Sequence, residues 1–232
     1  MTPFQTRQLT LMRQMESALA ANSKASEIVA MQSDYANDDA LCLTTVSYIP
    51  KSLAESIRTA IIEPLAVIDP DQYYFPNSSM HVTIHNVRVV RSPQSFTDQD
   101  IQRARQLLRL SIPTFTAPTF ELVGLLSMPT SVLIIALVNP EFDHMVKSIR
   151  HQFTEANLAD DKKYFTDEII FANITICRYT KSPSKLFLET VQKNKEKKYG
   201  IFSPKETCLV TSNAGMHPSK TTIIESFAFH NI

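Results

Sequence analysis

Two short segments carry the side chains with the clearest chemical potential. His81-Val82-Thr83-Ile84 and Asn173-Ile174-Thr175-Ile176 lie 92 positions apart, and each runs polar, aliphatic, Thr, aliphatic. Side chains alternate across a β-strand, so His81 and Thr83 would share one face about 6.6 Å apart, with Val82 and Ile84 on the other. Asn173 and Thr175 would do the same. Two such strands side by side place an imidazole, an amide and two hydroxyls in one groove, with their apolar partners packed on helices behind. An imidazole moves protons near neutrality, while hydroxyls and amides hydrogen-bond an anion such as phosphate. Taken singly, either segment is equally a core strand whose threonines suit β-structure. Polar groups alternating along apolar strands must nevertheless each be satisfied or wet.

Composition restricts how phosphate could be held. The 232 residues include only three glycines, Gly124, Gly200 and Gly215, too far apart for G-x-G-x-x-G or G-x-x-x-x-G-K-[ST]. Lys+Arg and Asp+Glu number 23 each, which excludes the basic excess of a histone-like or general DNA coat protein. Any anion site must be local and built from side chains. Cys42, Cys177 and Cys208 are odd in number, widely spaced and in apolar company, as buried free thiols of a reducing compartment would be. No cluster has metal-ligand spacing, and neither a metal nor a cofactor is expected. The first residues do not lead into an apolar run, and no stretch approaches ~18 apolar residues. A cytoplasmic location is the expectation.

The elements that must position these groups follow from pattern. Residues 4 to 33 read as a polar helix with scattered apolar positions, a helical extension over 1–39 that ends at Asn37-Asp38-Asp39. Strands are expected at 41–48, 80–90, 116–126, 131–138 and 169–179, with a closing hairpin at 207–212 and 221–229. Helices are expected at 52–67, from the Thr97-Asp98-Gln99-Asp100 capping signal onward, at 141–156 and at 184–193. Val132 to Val138 is apolar throughout, as a strand buried on both faces would be. The order forms two similar halves, predicting an α+β fold of two lobes over 40–232.

With these residues in place, the sequence resembles the 2H phosphoesterase superfamily, which includes RNA 2′,5′-ligase/cyclic phosphodiesterase proteins and has two His-x-Thr-x motifs on paired central strands. The likeness spans about Leu41 to Phe229. His81-Val82-Thr83-Ile84 matches the first motif. The second, usually Pro-His-Ile-Thr-Leu-Ala-Arg after an aromatic, corresponds to Phe171-Ala172-Asn173-Ile174-Thr175-Ile176-Cys177-Arg178, with Asn173 in place of His. The resemblance implies pseudo-duplicated antiparallel sheets with outer helices around a central groove. It also implies that two histidines act as general base and acid on a phosphodiester while two threonines hold its oxygens. Asn173 can donate a hydrogen bond but cannot shuttle a proton.

The site implied is therefore His81, Thr83, Asn173 and Thr175, with Tyr74, His85 and His217 as candidate substrate contacts. His85 would sit about 13 Å along the strand from His81, at the groove's end. His217 would reach in from the closing loop, and Tyr73-Tyr74-Phe75 would offer a ring to stack on a base. Lys193 to Tyr199 is the one dense basic run, either a solvated loop or an overhang of the groove. Alternation assigns Arg178 to the face opposite Thr175. The function implied is binding of a nucleotide or RNA end with a 2′,3′-cyclic or 2′,5′-linked phosphate, with metal-independent hydrolysis weakened by Asn173. The alternative is an inactive nucleotide- or RNA-binding relative serving as sensor or scaffold.

Overall fold

The computed structural model describes residues 1–21 and 28–230. In chain order the elements are α1 (Pro3–Ala20), β1 (Leu41–Tyr48), α2 (Lys51–Ile57), α3 (Glu63–Ile68), β2 (Tyr73–Tyr74), β3 (His81–Arg91), α4 (Asp98–Ser111), β4 (Phe120–Met128), β5 (Ser131–Leu137), α5 (Pro140–Glu155), β6 (Ala172–Arg178), α6 (Lys185–Lys193), β7 (Lys198–Phe202), β8 (Glu206–Ser212) and β9 (Thr222–Ala228). One π-helical turn, Arg58–Ile62, joins α2 to α3. Pro64 lacks the N–H that would bond the Ala60 carbonyl, and the Lys197 ammonium takes that oxygen instead at 3.1 Å. Thr97 caps α4 in a reciprocal box with Asp100, as its sequence foretold.

The strands form one antiparallel sheet in the order β7-β4-β5-β6-β3-β1-β8-β9, with β2 beside β6. Its halves, β7-β4-β5-β6 and β3-β1-β8-β9, meet between β3 and β6 at one residue pair, Val82 with Ile174. The fold is thus the two-lobed α+β arrangement expected. One face carries the main core, with α2, α3, α4, α5 and α6 packed over it.

The other face of β4 and β5 is covered by α1. Met12, Met15 and Leu19 pack on Leu126, Leu133, Ile135 and Leu137, which explains why β5 is apolar from Val132 to Leu137. Polar contacts fix this helix as well. Buried Gln8 donates to the Ile170 carbonyl and accepts from the Val138 amide, and Arg13 donates to the Leu125 and Lys195 carbonyls at 2.7 Å each. The glycine at 124 is required there: its φ is +65°, and a Cβ would collide with the Lys195 carbonyl.

The helix expected over 4 to 33 is shorter. It ends at Ala20, residues 28–40 hold no helix, and 22–27 lie outside the described residues. The Lys-rich segment, read as loop or overhang, ends in β7 at the sheet edge far from β6. Lys195 and Lys198 there pair with Glu16 and Glu121.

His85 does not lie at the groove's end. β3 carries an extra residue between Thr83 and His85 in its register with β1, so the ring turns to the helix side. There it is 1% exposed and edge-on to Phe153 of α5, with ring centroids 4.6 Å apart and neither nitrogen hydrogen-bonded. Burial pushes its pKa down to about 3. The unfolded chain protonates this ring near its ordinary value of 6.5. Its contribution to stability is therefore complete above pH about 6.5 and declines as pH falls toward 3, by at most about 1.4 kcal/mol per pH unit. His85→Leu is expected to flatten the loss of melting temperature between pH 6.5 and 4, measured by circular dichroism; an unchanged slope would remove His85 as its source.

Candidate functional site

Val82 and Ile174 point into the core and are fully buried, so the residues flanking each face the opposite way. Antiparallel pairing at 82 and 174 sets His81 across from Thr175 and Thr83 across from Asn173. All four line one cavity of about 590 Å³ between the lobes. The structure thus brings together the four residues of the two motifs.

His81 is held in one tautomer. Its Nδ1 lies 2.7 Å from the Ser79 carbonyl, which can only accept, so Nδ1 carries the proton and Nε2 keeps a lone pair. Ser79 is itself fixed by donating its hydroxyl to the Met216 carbonyl at 2.7 Å. The rings of Tyr48 and Phe75 stand 6.3 and 6.4 Å away. Burial pulls the His81 pKa down to about 4, against the Ser79 bond that raises it and with help from the nearby Arg178 charge. At neutral pH this ring is uncharged and able to accept a proton.

Arg178 lies on the groove face, contrary to simple alternation. In the register with β5, Leu133 faces Thr175 but Val132 faces Cys177, so Ile176 is an extra residue. Ile176 and Cys177 both enter the core, and Arg178 emerges beside Asn173 and Thr175. The signal is in the sequence: polar, apolar, apolar, polar over Thr175-Ile176-Cys177-Arg178 breaks the period of two. The Arg178 Nε donates to the Ala214 carbonyl at 2.5 Å, and no ion pair joins it to a carboxylate among the described residues. Burial lowers its pKa, and the groups around it are Tyr35, Cys42, Cys177 and Tyr73. A desolvated guanidinium without a carboxylate is a receptor for an anion.

The rest of the lining adds charge of the same sign. Arg91, Arg150 and Lys162 join Arg178, against Asp38 as the acidic member among the described residues. The local positive potential thus comes from β3, α5, β6 and the segment before β6, not from the Lys193–Tyr199 run. Arg91 and Arg150 each stand 3.8 Å from a carboxylate, Asp161 and Asp160, and the Arg150 guanidinium covers the Tyr164 ring. Cys42 also reaches the cavity, but burial pushes its thiol up to about 11, leaving it protonated.

The other candidates fall outside the cavity. The Tyr74 hydroxyl donates to the Asp69 carbonyl and its ring packs on the core; Phe75 is the member of the aromatic triplet that lines the cavity. His217 bonds Ser219 through Nδ1 at 2.8 Å and caps a short turn, 6.0 Å from the Tyr73 ring. Among the described residues no three His, Cys, Asp or Glu side chains converge as metal ligands would, and no helix is long and apolar enough to cross a membrane.

No family model and no curated protein sequence matches the chain. Solved structures do. A phosphoesterase superposes with a TM-score of 0.56 at 12% identity, over 83% of this chain and 100% of its own. A Thermus thermophilus protein gives 0.57 at 16%, over 82% and 98%. Escherichia coli LigT complexed with 3′-AMP gives 0.54 at 12%, over 83% and 100%. The chain has the 2H phosphoesterase fold. These structures are matched over nearly their whole length, while part of this chain has no counterpart in them.

Because the Arg178 charge helps hold the His81 pKa down, Arg178→Gln is expected to raise the His81 titration midpoint above about 4, read from its ring proton shifts by NMR. An unmoved midpoint would show that the guanidinium does not act on the ring.

Proposed function

We propose that this chain binds a nucleotide phosphoester between its lobes and hydrolyses it slowly with His81 as the sole proton-transfer residue. The observation that carries the reading is a base-form imidazole, two threonine hydroxyls, an amide and a guanidinium without a carboxylate on one cavity. The phosphoryl oxygens would be held by Thr83, Thr175, Asn173 and Arg178, by hydrogen bonds that strengthen as charge develops on them. The solved 3′-AMP complex of a protein with this fold supports a nucleotide as the ligand. A 2′,3′-cyclic or 2′,5′-linked ester is the substrate proposed, as the resemblance of the two motifs implies.

In the step proposed, a water oxygen attacks phosphorus and gives its proton to His81 Nε2. The bond from phosphorus to a ribose oxygen breaks. A second histidine at 173 would protonate that oxygen, but an amide has no proton to give, so the leaving oxygen takes one from solvent. Loss of a proton-transfer group costs roughly 10²–10⁴-fold. This observation also favours the second reading, a nucleotide binder without turnover.

Turnover of nucleoside 2′,3′-cyclic phosphates separates the two. The first reading expects slow wild-type hydrolysis, lost in His81→Ala and raised about 10²-fold or more in Asn173→His. Its rate should fall as pH drops through about 4, where His81 takes up its proton, without the alkaline decline that a histidine acid would impose. No wild-type activity, with a gain in Asn173→His, would sink it and leave the binding reading. Thr83→Val with Thr175→Val should abolish binding under either; unimpaired binding in that double variant would overturn both.

A further inference from the structure

Residues 28–40 cross the groove from one lobe to the other. At the β4–β5 side, the Thr130 hydroxyl donates to the Val29 carbonyl at 2.9 Å. On the opposite lobe, the Asn213 side-chain amide donates to the Tyr35 carbonyl at 2.5 Å and the Asp38 carbonyl at 3.3 Å, and Lys220 pairs with Asp39 at 2.5 Å. Tyr35 is the central anchor. It is 2% exposed, its ring lies 4.8 Å from that of Tyr73, and it rests on Gly215 so closely that a Cβ there would come within 2.9 Å of the ring.

Ile28, Val29, Ala30, Gln32 and Asp38 of this segment form a wall of the cavity that contains His81 and Arg178, and Met15 of α1 continues it. Opposite, the Arg88 guanidinium donates to the Ala159 carbonyl and the Asp161 carboxylate accepts from the Val89 amide, fastening the chain leading to β6 onto β3. That chain contributes Tyr164, Phe165 and Thr166 to the lining. The motifs therefore face a pocket walled on two sides by these segments rather than the bare floor of a trough. They face a chamber of about 590 Å³, within the roughly 300–1,000 Å³ of small-molecule sites.

From this geometry we infer that residues 28–40 determine specificity, limiting the substrate to a free nucleotide or short oligomer and rejecting the phosphate end of a longer RNA. The inference rests on the nucleotide-phosphoester reading above and narrows its substrate class. Asp38 sharpens the selection. Its Oδ1 accepts from the Ala40 amide, while its Oδ2 is buried without a hydrogen-bond partner. A ligand hydroxyl or amino group would satisfy that oxygen, whereas a further phosphate would be repelled by it.

The test compares nucleoside 2′,3′-cyclic phosphate with a ten-nucleotide RNA ending in the same group, by calorimetric binding and by turnover. Wild type is expected to take the mononucleotide at least about tenfold better. Tyr35→Ala removes the central anchor, and Gly215→Ala pushes against it without touching the cavity. Each should narrow or reverse that preference by gaining on the RNA, with mononucleotide binding changed less than about threefold. Equal wild-type binding of both ligands would overturn the inference while leaving the nucleotide reading intact, and this comparison needs no variant to fold. Binding of neither ligand would overturn both. Variants that fold, judged by circular dichroism, yet keep the wild-type preference would also refute the role of residues 28–40.

Discussion

The site depends on how little joins the two halves of the sheet. β3 and β6 share one register pair, Val82 with Ile174, where neighbouring strands elsewhere share up to seven. A longer ladder would draw the strands into an ordinary flat pairing and close the space between the lobes. One pair is enough to fix the relative height of the strands, which sets His81 opposite Thr175 and Thr83 opposite Asn173. The strands then diverge and leave room for a ligand. The apolar residues at 82 and 174 thus position the polar ones, because burying them in the common core forces 81, 83, 173 and 175 to the other face.

Charge is the second constraint. Four cationic side chains and one carboxylate line the cavity among the described residues, in a chain whose net charge is zero. Burial is the main reason the His81 imidazole stays neutral, and the nearby Arg178 charge adds to it. An arriving phosphate alters both balances at once: it neutralises the guanidinium and makes a positive imidazole less costly. In the hydrolysis proposed, the proton that His81 would accept is therefore stabilised by the same anion whose ester is opened.

Much of this was legible in the sequence, because the strands that build the groove are strongly patterned. β1 falls at Leu41–Tyr48 as expected, and the capping box fixed the start of α4. His85 and Arg178 depart from strict alternation for one reason. Each lies beyond a bulge, and the extra residue turns every later side chain to the other face. Ile84-His85 and Ile176-Cys177 both enter the core consecutively, so His85 left the groove and Arg178 joined it. Residues 28–40 were opaque for a different reason. Ile28 and Met31 continue the helical spacing of α1, yet the path of the segment is set by single contacts, Tyr35 on Gly215 and Asn213 on two carbonyls, that no local pattern announces.

Asn173 separates holding a phosphoryl group from moving a proton. Contacts that hold a phosphoryl group need only donors in the right place, and an amide opposite Thr83 supplies one as well as an imidazole does. Proton transfer needs a group that can take up and release a proton, and among the four motif residues His81 alone is of that kind. Its hydrogen bond to Ser79 commits it further, since a ring with its single proton on Nδ1 begins the cycle as a base. Under the proposed reading the groove retains what recognition requires and one half of what turnover requires. In the step proposed, the missing half would fall at the leaving oxygen, so the barrier would depend on how readily that oxygen departs without a proton, and a ribose alkoxide is among the groups for which this is hardest.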